Sequence, residues 1–312
     1  MRTAFVRALM DLAERDHRIN LVVGDLGFGL FEPFRERYPL QFVNAGVAEQ
    51  NMTGLAVGLA LTGKIVFTYS IGNFPTLRCL EHVRTDVCIH NANVKIVSVG
   101  GGFTYGPLGP THHATEDLAI MRSLPGMVVV APGDPVESDL ATRAIASVPD
   151  PCYLRLGRAG EPLVHEPGIR FELGRAITVR DGSDLTLIST GGLLHTAVQV
   201  AEALAGEGIE ARVLSMHTLK PLDRAAVLKA AQETRAVVTL EEHSIIGGLG
   251  GAVAEVLAEE DRTAVAFKRI GIPSTFALRA GSQEYLRNQF GLSTEAVLKT
   301  LAPLVPMLQD RP

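Results

Sequence analysis

The sequence predicts an α/β protein of two domains, each a mostly parallel sheet flanked by helices. Short, continuous apolar runs alternate with helical patterns along the whole chain, and buried parallel strands have this composition. The alternation is interrupted once, at Pro162–Arg170, whose prolines and glycine are typical of a linker. With 312 residues the chain is long enough for two cores. We therefore predict one domain over residues 1–161 and a second over residues 171–312.

The apolar runs and periodic segments predict the elements of each domain in order. The predicted strands of the first domain are Ile19–Val23, Ile65–Thr68, Val94–Val99 and Met127–Val130, with helices near 3–15, 48–62, 74–89 and 135–147. The predicted strands of the second are near Leu185–Ser189, Ala211–Ser215, Ala236–Leu240 and Val265–Ile270, with helices near 193–206, 222–232, 250–259 and 293–303. Such alternation gives parallel sheets with helices on their faces.

Composition excludes several classes of function. The net charge is −5 and no basic block is present, which argues against nucleic acid as a partner. The longest apolar runs fall short of the roughly 18 residues that a membrane span needs, and the N-terminus does not resemble a signal peptide. The three cysteines form an odd count without metal-type spacing, which favours reduced thiols in a cytoplasmic protein.

Residues 41–58 form the most informative segment of the chain. A short strand ends in a loop of small residues, and Glu49 stands where the following apolar helix begins. An acid in a first helical turn faces the positive helix end, which is one explanation of Glu49. Its apolar surroundings offer few polar groups, so we also expect a partner from outside the segment.

Residues 44–52, Asn-Ala-Gly-Val-Ala-Glu-Gln-Asn-Met, resemble the pyrimidine-binding motif of thiamine-diphosphate enzymes of the transketolase family, Asn-x-Gly-x-Ala-Glu-Gln-x-Met. The resemblance extends over the chain, with 1–161 similar to the pyrimidine-binding domain and 171–312 to the transketolase C-terminal domain. The diphosphate-binding domain is not matched, since Gly24-Asp25-Leu26 lacks the third glycine of its metal-binding motif. The resemblance implies the C-terminal subunit of a split transketolase. An N-terminal partner subunit would hold the diphosphate and Mg²⁺ (or Ca²⁺), with two copies of each chain.

The resemblance also implies a set of cofactor residues. Glu49 would hydrogen-bond the aminopyrimidine ring of thiamine diphosphate and activate the cofactor. Phe74, in a segment that resembles Phe-Ala-Thr-Gly-Arg-Ala-Tyr-Asp-Gln-Ile-Arg, would stack on this ring, with Tyr69 as second choice. Asp25 and Leu26 would line the thiazolium side. Without the family context, a phenylalanine beside a strand end such as Phe74 is more often an ordinary core residue, and Asp25 and Leu26 are equally compatible with a strand-to-loop exit.

Substrate residues are implied in the same way. The loop Gly100–His113 resembles Asp-Gly-Pro-Thr-His-Gln at its end, which places His112 at the position of a histidine that relays protons or binds the developing oxyanion. Arg78 and Arg158 match arginines that bind substrate phosphate in relatives; a helix-surface arginine and a boundary salt bridge are the structural alternatives. Leu108 and Gly100 replace an aspartate and a histidine that contact the sugar. These matches favour a phosphorylated or anionic sugar with fewer hydroxyl contacts.

Alternative functions remain at this point. Gly247–Gly251 fails the strict dinucleotide-binding pattern and is interpreted as a turn that lets a helix pack close to its sheet. The favoured function is transfer of a two-carbon ketol unit from a ketose to an aldehyde. The β subunit of a 2-oxoacid dehydrogenase shares both domains, but Gly109-Pro110-Thr111-His112 favours a transketolase. A non-catalytic scaffold subunit is the third possibility, against which the intact Glu49 and His112 argue.

Overall fold

The structure is a computed structural model that describes residues 1–260 and 265–309. Its strands form two sheets in which parallel pairs predominate, and helices cover their faces, so the predicted fold class is confirmed. The strands are β1 (Ile19–Val23), β2 (Phe42–Asn44), β3 (Ile65–Ile71), β4 (Val94–Val99), β5 (Val128–Val130), β6 (Cys152–Leu156), β7 (Ile177–Arg180), β8 (Leu185–Ser189), β9 (Ala211–Ser215), β10 (Thr218–Lys220), β11 (Ala236–Ser244) and β12 (Ala266–Ile272).

Helices connect most of these strands, and 3-10 or π turns extend several of them. The α-helices are α1 (Arg2–Arg15), α2 (Glu32–Arg37), α3 (Glu49–Leu61), α4 (Leu80–His82), α5 (Asp117–Ser123), α6 (Pro135–Ala146), α7 (Leu194–Ala205), α8 (Arg224–Glu233), α9 (Leu249–Ala258), α10 (Gln283–Gln289), α11 (Thr294–Leu301) and α12 (Val305–Gln309). Short 3-10 helices lie at Pro39–Gln41, Gly106–Leu108, Pro110–His112, Gly191–Leu193 and Ala302–Leu304, and a π-helix at Val83–Cys88.

The first sheet has the strand order β10-β5-β6-β4-β3-β1-β2. Strands β1 to β6 pair in parallel, as continuous apolar strands buried on both faces do. Helices α1 and α6 pack together over one apolar face, which contains Phe5, Leu9 and Phe67. The other face packs against α3 through Met52 and Ala56, which are fully buried. Both faces of this sheet are therefore closed, and its strand ends are the places where polar side chains can collect.

The second sheet has the order β12-β11-β8-β9-β7; β7 pairs antiparallel with β9, and the pairs of β11 with β12 and β8 and of β8 with β9 are parallel. Helices α7 and α11 cover one face. The opposite face continues the apolar cluster of the first sheet, because Ile188, Val237 and Val253 belong to the same buried cluster as Met52. The two halves of the chain thus share one core. No helix within residues 1–260 and 265–309 combines the length and apolarity needed to cross a membrane.

Strand β10 is the main feature that the sequence did not predict. It lies in the second half of the chain, but it pairs antiparallel with β5 and forms the outer edge of the first sheet. Thr218 lies opposite Val130, and the N–H of Ala131 donates to the carbonyl of His217 at 2.7 Å. The second half of the chain therefore supplies part of the first sheet.

The predicted linker Pro162–Arg170 is free of regular structure but is held to the first half. The backbone N–H groups of Val164 and His165 donate to Asp134 Oδ2, and the His165 ring lies within 3.3 Å of this carboxylate and 3.5 Å of Glu137. Burial opposes ionisation of Asp134, but these hydrogen bonds outweigh it and lower the pKa of the carboxyl to about 2. The linker is thus held in place by hydrogen bonds to the charged side chain of Asp134.

Candidate functional site

The residues singled out in the sequence occupy loops at one edge of the first sheet. The carboxyl ends of parallel strands meet at such an edge, and ligands bind there in α/β proteins. Asp25 and Leu26 follow β1, Glu49 follows β2, Phe74 and Arg78 follow β3, His112 follows β4, and Arg158 follows β6.

A chain of polar contacts sets the position of Glu49. Gly46 turns the backbone with a φ of +75°, which favours glycine, and its N–H donates to Asn44 Oδ1 at 2.9 Å. The Asn44 amide in turn donates to Asp25 Oδ1 at 2.8 Å, which joins the loops that follow β1 and β2. Helix α3 begins directly at Glu49, so the carboxylate lies at the helix end that favours negative charge.

The Glu49 carboxylate is only 1% exposed, and its partners come from outside its own segment. Ser70 Oγ donates to Oε1 at 3.0 Å, and Arg78 Nη1 donates to Oε2 at 2.7 Å. The Arg78 side chain is 47% exposed, so one side of this ion pair faces solvent. Sequence reasoning did not identify Ser70. The only available signal was its position on β3 next to Tyr69.

Phe74 lies in a run of turns over residues 72–79, where the sequence predicted a helix from residue 74. The helix begins later, at Leu80, and this delay leaves the Phe74 ring at the strand end. The Arg78 guanidinium lies over that ring at 4.7 Å from its centroid, and the His112 ring meets it edge-on at 5.3 Å. Glu49, Arg78, Phe74 and His112 therefore form one continuous group.

His112 and His113 face different surroundings. His112 is half-buried, and its Nδ1 and Thr111 Oγ1 are hydrogen-bonded at 3.0 Å, which leaves Nε2 as the ring nitrogen available to a ligand. His113 is 4% exposed and packs edge-on against Phe103, and burial lowers its pKa. Asn73 donates to the backbone carbonyls of Thr111 and His113, so the loop that carries Phe74 supports the loop that carries His112.

The second half of the chain fixes the loop that follows β4. The N–H of Phe103 donates to Glu242 Oε1 at 2.7 Å, and a Cβ added to Gly102 would lie 2.5 Å from the Glu242 side chain. Arg155 on β6 is buried, and its guanidinium donates to Asp117 Oδ2, to the Ala114 carbonyl and to the Glu242 carbonyl. Glu242 and Arg155 are thus positioning residues for the His112 loop, and sequence reasoning did not identify them.

The structure corrects the interpretation of Tyr69 as the second choice for stacking on the cofactor ring. Its side chain is 1% exposed and packs against Phe5 and Phe31 in the core under α1. Successive residues of a strand point to opposite faces, so Tyr69 and its neighbour Ser70 cannot both face Glu49. The structure places Ser70 there and leaves Tyr69 away from the group.

Arg158 lies at the far end of the same edge, exposed, with its guanidinium 5.9 Å from the centroid of Tyr105. The Tyr105 ring fills the space beside Gly100, where an added Cβ would come within 2.2 Å of it. Gly100 has a φ of +94° and Leu108 is 54% exposed. The space that a side chain at position 100 would occupy thus belongs to Tyr105, which sequence reasoning also missed.

The turn Gly247–Gly251 packs a helix against its sheet, as the sequence interpretation proposed. A Cβ at Gly248 would lie 2.0 Å from Glu241 Oε2, and one at Gly250 would lie 2.9 Å from Arg269 and Thr239. The Glu241 carboxylate accepts the N–H groups of Leu249 and Gly250 at the start of α9. The glycines therefore serve close approach between helix and strand.

Comparison with known proteins identifies the family. The sequence model of the transketolase pyrimidine-binding domain matches residues 1–160, and that of the transketolase C-terminal domain matches residues 174–297. The chain belongs to the transketolase family. This transketolase subunit is 40% identical over 306 residues to a subunit of the apulose-4-phosphate transketolase of Phocaeicola vulgatus, and the match covers 97% of both chains. It is 39% identical over 300 residues to 6-deoxy-6-sulfo-D-fructose transketolase subunit SqwH of Clostridium sp. strain MSTE9, over 96% of this chain and 92% of the relative.

A solved structure has the same extent. A split gene transketolase, described as an inactive β4 tetramer, superimposes with a TM-score of 0.88 and 37% identity, over 99% of this chain and 98% of that one. The chain is therefore the C-terminal subunit of a split transketolase, as the sequence resemblance implied. Membership of the family implies dependence on thiamine diphosphate.

The group around Glu49 fits the aminopyrimidine ring of that cofactor. The ring is planar, carries N–H donors and needs a carboxyl partner and an aromatic wall. In the structure the Arg78 guanidinium, which is also planar and an N–H donor, makes both contacts, with Glu49 Oε2 and with the face of Phe74. A pyrimidine bound on Glu49 and Phe74 must therefore displace this guanidinium. Within the described residues, no group of three or more His, Cys, Asp or Glu side chains is placed to hold a metal ion.

Proposed function

We propose that this subunit, together with an N-terminal partner chain, transfers a two-carbon ketol unit from a phosphorylated or otherwise anionic ketose to an aldehyde. The observation that supports this most is the buried Glu49 carboxylate, held by Ser70 and facing a planar cation that lies on Phe74. This arrangement is complementary to a protonated, ring-shaped ligand. The two transketolase relatives act on apulose 4-phosphate and on 6-deoxy-6-sulfo-D-fructose by their names, and both of these sugars carry an anionic group.

The cofactor residues have separate tasks in this proposal. Glu49 shares a proton with the ring, which a carboxyl group isolated from water can hold at a fixed position. Phe74 provides the apolar face, and Asp25 and Leu26, whose loop is tied to Asn44, border the thiazolium side. When bound, thiamine diphosphate supplies the centre that stabilises negative charge on carbon, which no protein side chain offers.

Substrate binding would use the remaining residues of the edge. The His112 ring lies against Phe74 with Nδ1 bonded to Thr111, so its Nε2 would give or take a proton at a substrate oxygen. Arg158 makes no ion pair among the described residues, and its guanidinium would receive the phosphate or sulfonate of the substrate. Tyr105 occupies the space beside Gly100, and Leu108 brings no hydrogen-bonding side chain, so this end of the site would contact few sugar hydroxyls.

The partner chain completes the site. We propose that it holds the cofactor's diphosphate and Mg²⁺ (or Ca²⁺), and that the enzyme contains two copies of each subunit. The names of the relatives support this, since each describes one subunit of a transketolase. All three cysteines of this chain are free thiols, the usual state in the cytoplasm, and we place the complex there.

Calorimetric titration of thiamine diphosphate with Mg²⁺ tests the proposal, with this chain alone and with this chain mixed with its diphosphate-binding partner. We expect saturable binding only in the mixture, followed by ketol transfer from a phosphorylated ketose. Absence of binding in a verified complex would overturn the proposal. Binding accompanied by activity on a 2-oxoacid with an electron acceptor would instead favour the oxoacid dehydrogenase class.

Arg78 is proposed to bind substrate, but in the structure it contacts Glu49 and the ring of Phe74. Its guanidinium is engaged by Glu49, so it becomes available to an anionic substrate only after the ring has displaced it. For Arg78→Ala we therefore expect the KM for the ketose phosphate to rise roughly tenfold, because one charge-assisted contact is lost. The dissociation constant of thiamine diphosphate should stay unchanged or fall. A weaker affinity for the cofactor with an unchanged KM would show that Arg78 is a permanent partner of Glu49. Arg7→Ala, at another exposed arginine, is the control.

A further inference from the structure

We propose that Asn73 is a positioning residue for His112, and that its side-chain amide holds the part of the loop that carries His112 beside Phe74. Asn73 follows β3 and directly precedes Phe74, whereas His112 lies in the loop that follows β4. The effect of Asn73 on catalysis rests on the proposed ketol transfer. The hold of Asn73 on the loop does not, because it can be measured on this chain alone.

The Asn73 amide contacts the backbone on both sides of His112. Its Nδ2 donates to the carbonyl of His113 at 2.8 Å and to the carbonyl of Thr111 at 3.4 Å. Both acceptors are carbonyl oxygens, so only the NH₂ group of the amide can meet them. The Oδ1 atom of Asn73 accepts from no group within the described residues. The polar contribution of this side chain therefore comes from its donors, and the two carbonyls that they bind flank His112.

The sheet fixes the position of Asn73. The preceding residue, Gly72, donates its N–H to the carbonyl of Val99 at 2.8 Å. The Gly72 carbonyl in turn accepts from Ser98 Oγ at 3.2 Å and from Thr76 Oγ1 at 2.9 Å. Asn73 is therefore anchored at the ends of β3 and β4, independently of the loop segment that its amide contacts.

The loop segment that contains His112 has few other ties to the rest of the chain. We call residues 107–113 the distal segment. Its backbone N–H groups donate to carbonyls of the same loop, and the ring of His113 is hydrogen-bonded to the Gly106 carbonyl. Among residues 1–260 and 265–309, Asn73 is the only residue outside the loop that forms hydrogen bonds with the distal segment. Loss of its amide would leave this segment without a polar tie to the sheet.

Loss of the amide would release His112 more than Phe74. The Phe74 N–H donates to the carbonyl of Ile71 at 2.8 Å, and the Phe74 carbonyl accepts from the Cys79 thiol at 3.3 Å. The position of Phe74 thus has support that does not involve the Asn73 side chain. Displacement of a reacting group by about 1 Å can lower a rate about 10²-fold. Asn73 therefore controls the distance between the rings of Phe74 and His112, whose centroids are 5.3 Å apart.

Kinetics of the assembled enzyme test the catalytic part of the inference. We expect kcat to fall roughly tenfold to 10²-fold in Asn73→Ala. It should fall at least as far in Asn73→Asp, which keeps the shape of the side chain but sets carboxylate oxygens against the two carbonyls. The dissociation constant of thiamine diphosphate should stay unchanged, because Phe74 keeps its own support.

A double replacement shows whether Asn73 acts through His112. When His112→Ala is already present, Asn73→Ala should lower kcat little further, because residues that act as one unit have non-additive effects. Asn288→Asp makes the same chemical change at an exposed position of α10 and is the matched control. Thermal unfolding of each variant checks that the fold is kept.

Hydrogen exchange of the purified chain measures the tie itself. Backbone amides of the distal segment should exchange roughly tenfold faster in Asn73→Ala and Asn73→Asp, because the net contribution of a hydrogen bond corresponds to about that factor. Asn288→Asp should leave their exchange unchanged.

Unchanged exchange in both Asn73 variants, or unchanged kcat in a verified and active complex, would overturn the inference. Fully additive losses in the double variant would also overturn it, as would a loss of cofactor affinity equal to the fall in kcat, because Asn73 would then not act through His112. Absence of ketol transfer by the unmodified complex would overturn the proposed function instead. Exchange of the chain alone would still decide whether Asn73 holds the distal segment.

Discussion

Replacement of Glu49 by glutamine is expected to lower ketol transfer by the assembled enzyme roughly 10²- to 10⁴-fold, the range over which a positioned acid or base contributes to catalysis. Glutamine has nearly the same shape and can still accept from Ser70, but it cannot take up or share a proton with the cofactor ring. It also removes the ion pair with Arg78. The measurement is kcat for the complex saturated with thiamine diphosphate, Mg²⁺ and substrate.

Two controls make this result specific to the site. Glu14→Gln changes an exposed glutamate that pairs with Arg37 on the surface and should leave kcat unchanged. Binding of the partner subunit to Glu49→Gln should match that of the unmodified chain, which shows that the fold is intact. Full activity of Glu49→Gln in a verified complex would support the scaffold alternative, because no catalytic use of the carboxylate would then remain.

The second large effect concerns the buried pair of Asp117 and Arg155. Their side chains are 0% and 4% exposed, and Tyr153 also donates to the same carboxylate oxygen at 2.5 Å. Asp117→Ala leaves the Arg155 charge without its carboxylate, and breaking a buried pair in this way typically costs about 3–5 kcal/mol. We expect a loss of that order in the free energy of unfolding, measured by chemical denaturation.

A double replacement separates the charge effect from the loss of packing. Asp117→Ala with Arg155→Met removes both charges, so it should recover part of the stability that Asp117→Ala loses. Glu172→Ala, which breaks an exposed pair with Arg170, should change stability by less than about 1 kcal/mol. If Asp117→Ala costs no more than Glu172→Ala, the pair does not stabilise the junction of the two halves.

The elements that the sequence predicted well are those whose signal is local. Val94–Val99, Leu185–Ser189 and Ala211–Ser215 are strands with the predicted bounds, because each is a short, mostly apolar run that a sheet buries on both faces. Strand β10 was missed because it has three residues and is stabilised by pairing with β5, distant in the sequence. The turns that carry Phe74 were predicted as part of a helix. The apolar residues of that segment recur at helical spacing on both sides of Pro75, so the sequence did not mark where the helix begins.

The site was predictable where a motif marks it and not where tertiary packing builds it. Glu49 stands out by its segment, and the structure gives it two partners that the segment does not contain, Ser70 and Arg78. Tyr69 illustrates the limit. Alternation along a strand shows that Tyr69 and Ser70 face opposite ways, but it does not show which of them faces the core. That choice is made by Phe5 and Phe31, which pack on Tyr69 from α1 and from the loop before α2.

Strand β10 also bears on how this gene could be divided. Cutting the chain at the linker would uncover β5, a run of three valines whose backbone groups would then lie at an open sheet edge. Exposed apolar edges of this kind pair with other chains and promote aggregation. The two halves are thus interlocked, and a viable gene division has to fall outside them. Separately expressed halves would need β10 to be kept with the first sheet.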